Sequence, residues 1–261
     1  MSEAKTVRAA DGTEIHYETT GDGPPLVLVH GITENRRAWD EFVPRFAEQY
    51  TVTTLDLRGH GESSLAETYD IDALAGDVRA VVDAVGSGEP SLVGHSLGGL
   101  VASAYAAAYP VRTIVNVDQS LQLAALGAVV RELEPALRGD GFQETMNALM
   151  ESLAGDRLSA ARKAKLRELR GPARAAVVLG VWDPFLSNAG PDLTDLIEGL
   201  LGRIQVPYLA LHGSDPGPGY ADWLRGLTPT ATVETWDGFG HWLHLVDPDR
   251  FAERILRFLA S

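Results

Sequence analysis

Ser91-Leu92-Val93-Gly94-His95-Ser96-Leu97-Gly98-Gly99-Leu100 decides how this chain is read. Three apolar or small residues run into Gly94-His95-Ser96-Leu97-Gly98, and a small-residue stretch over 100–109 runs out of it. The pentapeptide fits G-x-S-x-G, and the context fits a strand, a sharp turn and a helix. Such a turn forces its serine into a strained conformation and lifts Oγ above the sheet edge. The glycines on either side let strand and helix approach closely. The helix start adds backbone N–H groups and a positive dipole end beside the hydroxyl.

Outward from this turn, short apolar runs alternate with amphipathic ones. Residues 7–9 and 14–19 flank Asp11-Gly12, a two-residue hairpin signal. Runs at 26–30, 52–55, 91–94, 113–117, 208–211 and 232–236 read as further strands. Helical spacing covers 38–49, 70–85, 100–109, 220–227 and 248–260, with Pro248 suited to a first helical turn. The pattern predicts an α/β fold: a mostly parallel twisted sheet of about eight strands, helices on both faces and an antiparallel leading hairpin. Between 119 and 205 no strand pattern occurs. Four helical stretches (121–137, 142–153, 160–169 and 173–181) stand there instead. Residues 1–118 and 206–261 are therefore read as one core domain, and 119–205 as a helical insertion.

A serine hydroxyl needs a base, and the base needs a group to orient it. His241 follows the last strand, in Gly238-Phe239-Gly240-His241-Trp242. Two carboxylates could orient it: Asp215, after the penultimate strand, is preferred, and Asp118, at the end of the sixth, is the alternative. All these residues sit at strand C-terminal ends, where open parallel sheets gather their ligands.

The chain resembles the α/β-hydrolase superfamily over essentially its whole length. The resemblance rests on His30-Gly31, Asp56-Leu57-Arg58-Gly59-His60-Gly61-Glu62-Ser63, the turn at Ser96, Asp215-Pro216 and Gly240-His241. It implies a nucleophile at Ser96, a base at His241 and an oxyanion hole formed by the N–H groups of Ile32 and Leu97. It also implies that the 119–205 insertion caps the site. Dehalogenases and epoxide hydrolases of this superfamily carry aspartate where this chain has Ser96. Hydroxynitrile lyases need a pocket lysine, and Lys163 and Lys165 stand in a charged stretch. Hydrolysis of an ester or lactone through an acyl-enzyme is the resulting expectation. C–C bond hydrolysis with the same triad is the alternative, and it calls for a basic cluster from Arg131, Arg138, Arg157 or Arg174. A ligand receptor with a slow triad is the third reading.

The remaining polar residues read as structural. His30 orders its loop, Asp56, Arg58 and His60 fix a turn, and His244 packs. His95 is read as packing the elbow and lining the pocket rather than acting as a second base. Phe142, Met146, Trp182 and Phe185 are the expected apolar pocket wall. A formal charge of −14 with no basic block argues against nucleic acid as a partner. The chain has no cysteine, which removes thiolate chemistry and disulfides. Neither a metal-binding spacing nor a cofactor motif is present, so none is expected. Residues 1–8 have no apolar leader and no stretch suits a membrane span, so a cytoplasmic monomer or homodimer acting on a small molecule is expected.

Overall fold

The computed structural model describes residues 4–187 and 190–261; residues 1–3, part of the stretch read above as lacking a leader, lie outside it. Eight strands form one sheet: β1 (Lys5–Arg8), β2 (Glu14–Thr20), β3 (Pro25–Val29), β4 (Thr51–Leu55), β5 (Ser91–His95), β6 (Thr113–Val117), β7 (Tyr208–His212) and β8 (Ala231–Thr235). Their order is β1-β2-β4-β3-β5-β6-β7-β8. The hairpin β1–β2 and the β2–β4 pair are antiparallel, and every other pair is parallel.

Both faces of the sheet are covered, so β3, β5, β6 and β7 are buried at every position. Alternation decides which core each residue enters. Val27 and Val29 pack into one cluster, and Leu26 and Leu28 into the other. Burying both faces of a parallel sheet favours apolar residues at most positions of its strands, and the buried polar exceptions include Asn116, which bonds to Gln119 and Tyr208. The first cluster is closed by α2 (Ile71–Val85) and α3 (Leu97–Ala108), through Val78, Val81, Val101 and Tyr105. The second is closed by α1 (Val43–Phe46), α10 (Leu243–Val246) and α11 (Pro248–Leu259), with Trp39, Phe42, Phe46, Phe251 and Ile255. A single helix over 38–49 does not form. A 3₁₀ turn at Arg36–Trp39 gives way to α1, in whose first turn Pro44 stands. Proline has no N–H to carry an earlier helix through that point.

Among the described residues five helices lie between β6 and β7: α4 (Ala124–Leu137), α5 (Phe142–Leu153), α6 (Ala160–Arg170), α7 (Ala175–Leu186) and α8 (Gly190–Leu201). A short α9 (Tyr220–Leu227) links β7 to β8. The fifth of the inserted helices, α8, was not anticipated, although Leu193, Ile197, Leu200 and Leu201 have helical spacing. Among the described residues no helix is long and apolar enough to cross a membrane.

The turn after β4 is held by buried charge. The Arg58 guanidinium donates to both oxygens of Asp77 at 2.7–3.1 Å, and the Arg58 main-chain N–H adds a further bond at 3.1 Å. Asp56 accepts from the N–H groups of Arg36 and Glu62 at 2.6 and 3.0 Å. Removing one partner of a buried pair strands the other without water. Asp77→Ala is therefore expected to lower the unfolding free energy by about 3–5 kcal/mol, read as a lower urea midpoint with an unchanged m-value.

Candidate active site

The sheet order reverses direction around β3. The chain moves from β3 outward to β4, then crosses back to β5 on the other side. The loops leaving β3 and β5 diverge at that point and open a crevice at the strand C-termini. Gly31 and Ile32 leave β3 into it, and Ser96 leaves β5.

Ser96 adopts φ 51° and ψ −124°, a strained conformation for a residue with a side chain. Packing enforces it. A Cβ on Gly94 would land on the carbonyl oxygen of Gly98, and one on Gly98 would land on the carbonyl oxygen of Val29. Only glycine lets α3 press this close to β3 and β5. The Ser96 N–H donates to the Val117 carbonyl at 2.9 Å, tying the turn to β6. Ser96 is 9% exposed, and Oγ has no hydrogen-bond partner among the described residues. Leu97 opens α3, so its N–H belongs to the first helical turn, whose donors lack intrahelical acceptors. Ile32, Ser96 and Leu97 line one cavity, together with His241.

His241 is fixed from two sides. Its N–H donates to the carbonyl of Leu153, at the end of α5, at 3.0 Å. Its Nδ1 lies 2.7 Å from Oδ2 of Asp118. A carboxylate only accepts, so Nδ1 carries the hydrogen and Nε2 is left with a free lone pair. Asp118 Oδ1 accepts from the Gly213 N–H at 2.7 Å. Burial opposes charge on Asp118, but the bonds from His241 and Gly213 outweigh it and hold its carboxyl below the ordinary range.

Asp215, the preferred partner of His241 on sequence grounds, does not take that place. Its side chain is exposed at the cavity rim and accepts from the Gly217 N–H at 2.9 Å in a local turn. The cause is where the last loop crosses β7. The N–H groups of Phe239 and Gly240 both donate to the Gly213 carbonyl, at 2.9 and 3.0 Å, and a Cβ on Gly213 would strike the Gly240 carbonyl. The loop is thus anchored two residues before Asp215. Asp118, whose backbone stands at φ 54°, meets His241 there. Aspartate is among the few residues that tolerate this region.

The cavity has a volume of about 1040 Å³ and runs from the sheet edge up between the inserted helices. Of the expected wall, His95, Trp182 and Phe185 line it. Phe142 and Met146 do not: they are buried in the interior packing of the helical insertion. One turn beyond Met146, Met150 faces the cavity with Leu149 and Leu153. The sequence reading also missed Leu126, Val129 and Leu196. Val129, Leu153 and Leu196 are 40%, 38% and 52% exposed, yet all three border this one cavity. Large apolar side chains left uncovered around a concave site mark a surface for an apolar ligand. No arginine or lysine lines it among the described residues, whereas Asp70, Asp72 and Asp215 do. Nor do three metal-ligating side chains converge anywhere among the described residues.

Comparison with known proteins identifies the family. Residues 26–254 match the alpha/beta hydrolase family. The chain belongs to that family. It is 30% identical over 254 residues to the pimeloyl-[acyl-carrier protein] methyl ester esterase of Nitrosomonas europaea, covering 91% of this chain and 96% of the relative. A soluble epoxide hydrolase from Corynebacterium is 41% identical over 97 residues, or 37% of this chain and 34% of its own length. Among solved structures, the esterase RhEst1 from Rhodococcus sp. ECU1013 superposes with a TM-score of 0.77 at 28% identity, covering 99% of this chain and 98% of the other.

Proposed function

We propose that this hydrolase cleaves a carboxylic ester or lactone with a largely apolar, uncharged acyl part, through an acyl-enzyme on Ser96. The observation that carries this reading is the pairing of a strained, unengaged Ser96 with a histidine whose Nδ1–H is held by Asp118, at the foot of an apolar cavity. Within it, α4–α8 act as a cap over the sheet edge.

The steps follow from the donors and acceptors. Ser96 Oγ attacks the ester carbonyl carbon while its proton passes to Nε2 of His241. The imidazolium is stabilised by Asp118. The N–H groups of Ile32 and Leu97 hold the tetrahedral oxyanion, a contribution worth about 3–4 kcal/mol per well-placed donor in comparable sites. Collapse of this intermediate breaks the C–O bond, and the departing alkoxide takes the proton from His241. A water then adds to the acyl carbon, giving its proton to the same nitrogen. The second collapse frees the acid and returns the proton to Oγ.

Two features favour esters over the other readings. Ser96 stands where the superfamily's epoxide hydrolases carry aspartate, and the full-length relative from Nitrosomonas is by name a methyl ester esterase. C–C hydrolysis calls for a cation to grip a carboxylate, and Arg131, Arg138, Arg157 and Arg174 all lie off the cavity wall.

The test is a set of initial rates on p-nitrophenyl esters of increasing acyl length, simple lactones and acyl-homoserine lactones. With the apolar wall described, kcat/KM should rise along the ester series by up to about fourfold per methylene until the cavity is filled. Turnover confined to substrates bearing a carboxylate near the scissile bond would overturn the assignment. A well-folded protein with no turnover at all would favour C–C hydrolysis first and a receptor second.

A further inference from the structure

Behind the proposed catalytic groups lies a buried carboxylate that the mechanism does not use. Glu34 stands in the loop leaving β3 and is 4% exposed. Three donors converge on it. The Gly31 N–H reaches Oε2 at 2.8 Å, Nδ1 of His95 reaches Oε2 at 3.1 Å, and Nε1 of Trp242 reaches Oε1 at 2.6 Å. The other ring nitrogen of His95 lies 3.0 Å from the main-chain carbonyl of His241. His95 is 1% exposed.

The neighbours of these donors are the informative part. Gly31 precedes Ile32, His95 precedes Ser96, and Trp242 follows His241. The oxyanion loop, the elbow and the base loop come from three distant parts of the chain, and Glu34 bonds to all three. We propose that Glu34 is a positioning residue for hydrolysis, holding Ile32, Ser96 and His241 in mutual register through its bonds to Gly31, His95 and Trp242. This rests on the catalytic reading of those three residues given above.

The same bonds fix a charge state. A carboxylate and a carbonyl can only accept, so both nitrogens of His95 bear hydrogens and its ring is an imidazolium. Burial works against that charge, but Glu34 and the His241 carbonyl outweigh it. The His95 ring centroid is 4.7 Å from that of His241 and 4.7 Å from that of His244, which burial keeps neutral. Asp118 faces the pair from β6, His30 from the end of β3, and Arg170 from α6, where it lies over the Trp242 ring at 5.6 Å. A neutral amide at position 34 cannot serve this arrangement. Its oxygen can accept on one side only, and its NH₂ would confront the Trp242 indole or the His95 ring.

The test compares wild type with Glu34→Gln at a temperature where circular dichroism shows both folded. Histidine-labelled wild type should show, among its seven rings, one that stays doubly protonated to higher pH than an ordinary histidine. That signature should vanish in Glu34→Gln. In ester turnover the variant should lose about 100-fold in kcat with KM little changed, as expected when reacting groups are misplaced rather than removed. If Glu34→Gln does not fold, Trp242→Phe, which deletes one of the three bonds, should show a smaller loss with the same kcat-against-KM split. A wild-type His95 that loses its proton no later than an ordinary histidine, or a folded variant with wild-type kcat, would overturn the proposal. Should no ester be turned over, the ester reading fails separately. The rate of Ser96 labelling by a fluorophosphonate then decides: slower in the variant supports positioning, and equal rates refute it.

Discussion

Ser96→Ala is expected to reduce kcat by about five to six orders of magnitude while leaving the fold intact. The effect is large because the substitution removes the atom that forms the acyl-enzyme, and no other group can replace it. What remains is binding and oxyanion stabilisation, which in analogous triads still give a residual acceleration of about a thousandfold or more over water. Stability should barely move. Oγ has no hydrogen-bond partner among the described residues, so its loss orphans no buried group. The strain at φ 51° is imposed by Gly94, Gly98 and the bond from the Ser96 N–H to Val117, all of which the variant keeps. Thermal melting paired with the ester panel checks both halves. A variant that melts with the wild type and still turns over ester at the wild-type rate would sink the acyl-enzyme mechanism.

The core was readable because a parallel sheet covered on both faces leaves a strong imprint. Short, largely apolar runs such as 26–29 and 208–211 admit few alternatives once turn residues bound them. The helix expected at 38–49 failed because its apolar spacing, Trp39, Phe42, Val43 and Phe46, is equally served by a 3₁₀ turn followed by a single turn of α-helix. Pro44 was the local cue. Helix α8 went unread for the opposite reason: Asn188 to Pro191 resembles a turn and obscures the periodic residues that follow. The cavity wall was least legible. Met146 and Met150 are one turn apart on α5, and nothing in their spacing says which faces the cavity and which the packed interior. That depends on how the helix rolls against its neighbours, a property of the assembled insertion.

The choice between Asp118 and Asp215 was beyond local sequence, since both follow adjacent strands and both precede His241 in the chain. It can be decided at the bench, where the two asparagine variants should behave very differently. Asp118→Asn is expected to cost about 10⁴-fold in kcat. The Gly213 N–H donates to Oδ1 of Asp118, so in the variant the amide oxygen is kept on that side. The amide NH₂ then faces Nδ1 of His241. That nitrogen must give up its hydrogen to accept, and the proton moves to Nε2. A histidine protonated at Nε2 cannot take the Ser96 proton. Asp215→Asn should stay within a few-fold of wild type, because an asparagine oxygen can still accept from Gly217.

Stability provides a second readout for the same pair. Asp118 has its pKa lowered in the folded state despite burial, by its bonds to His241 and Gly213. Its contribution is therefore present above the unfolded-state value, about 3.9, and is lost as pH falls through the folded value. The stability gap between wild type and Asp118→Asn should accordingly be widest near neutrality and narrow in acid. Asp215 makes its bond only within its own turn. Equal loss of kcat in the two variants would show that the resting geometry at His241 is not the catalytic one. A 10⁴-fold loss in Asp118→Asn alone would assign the orienting carboxylate to the end of β6.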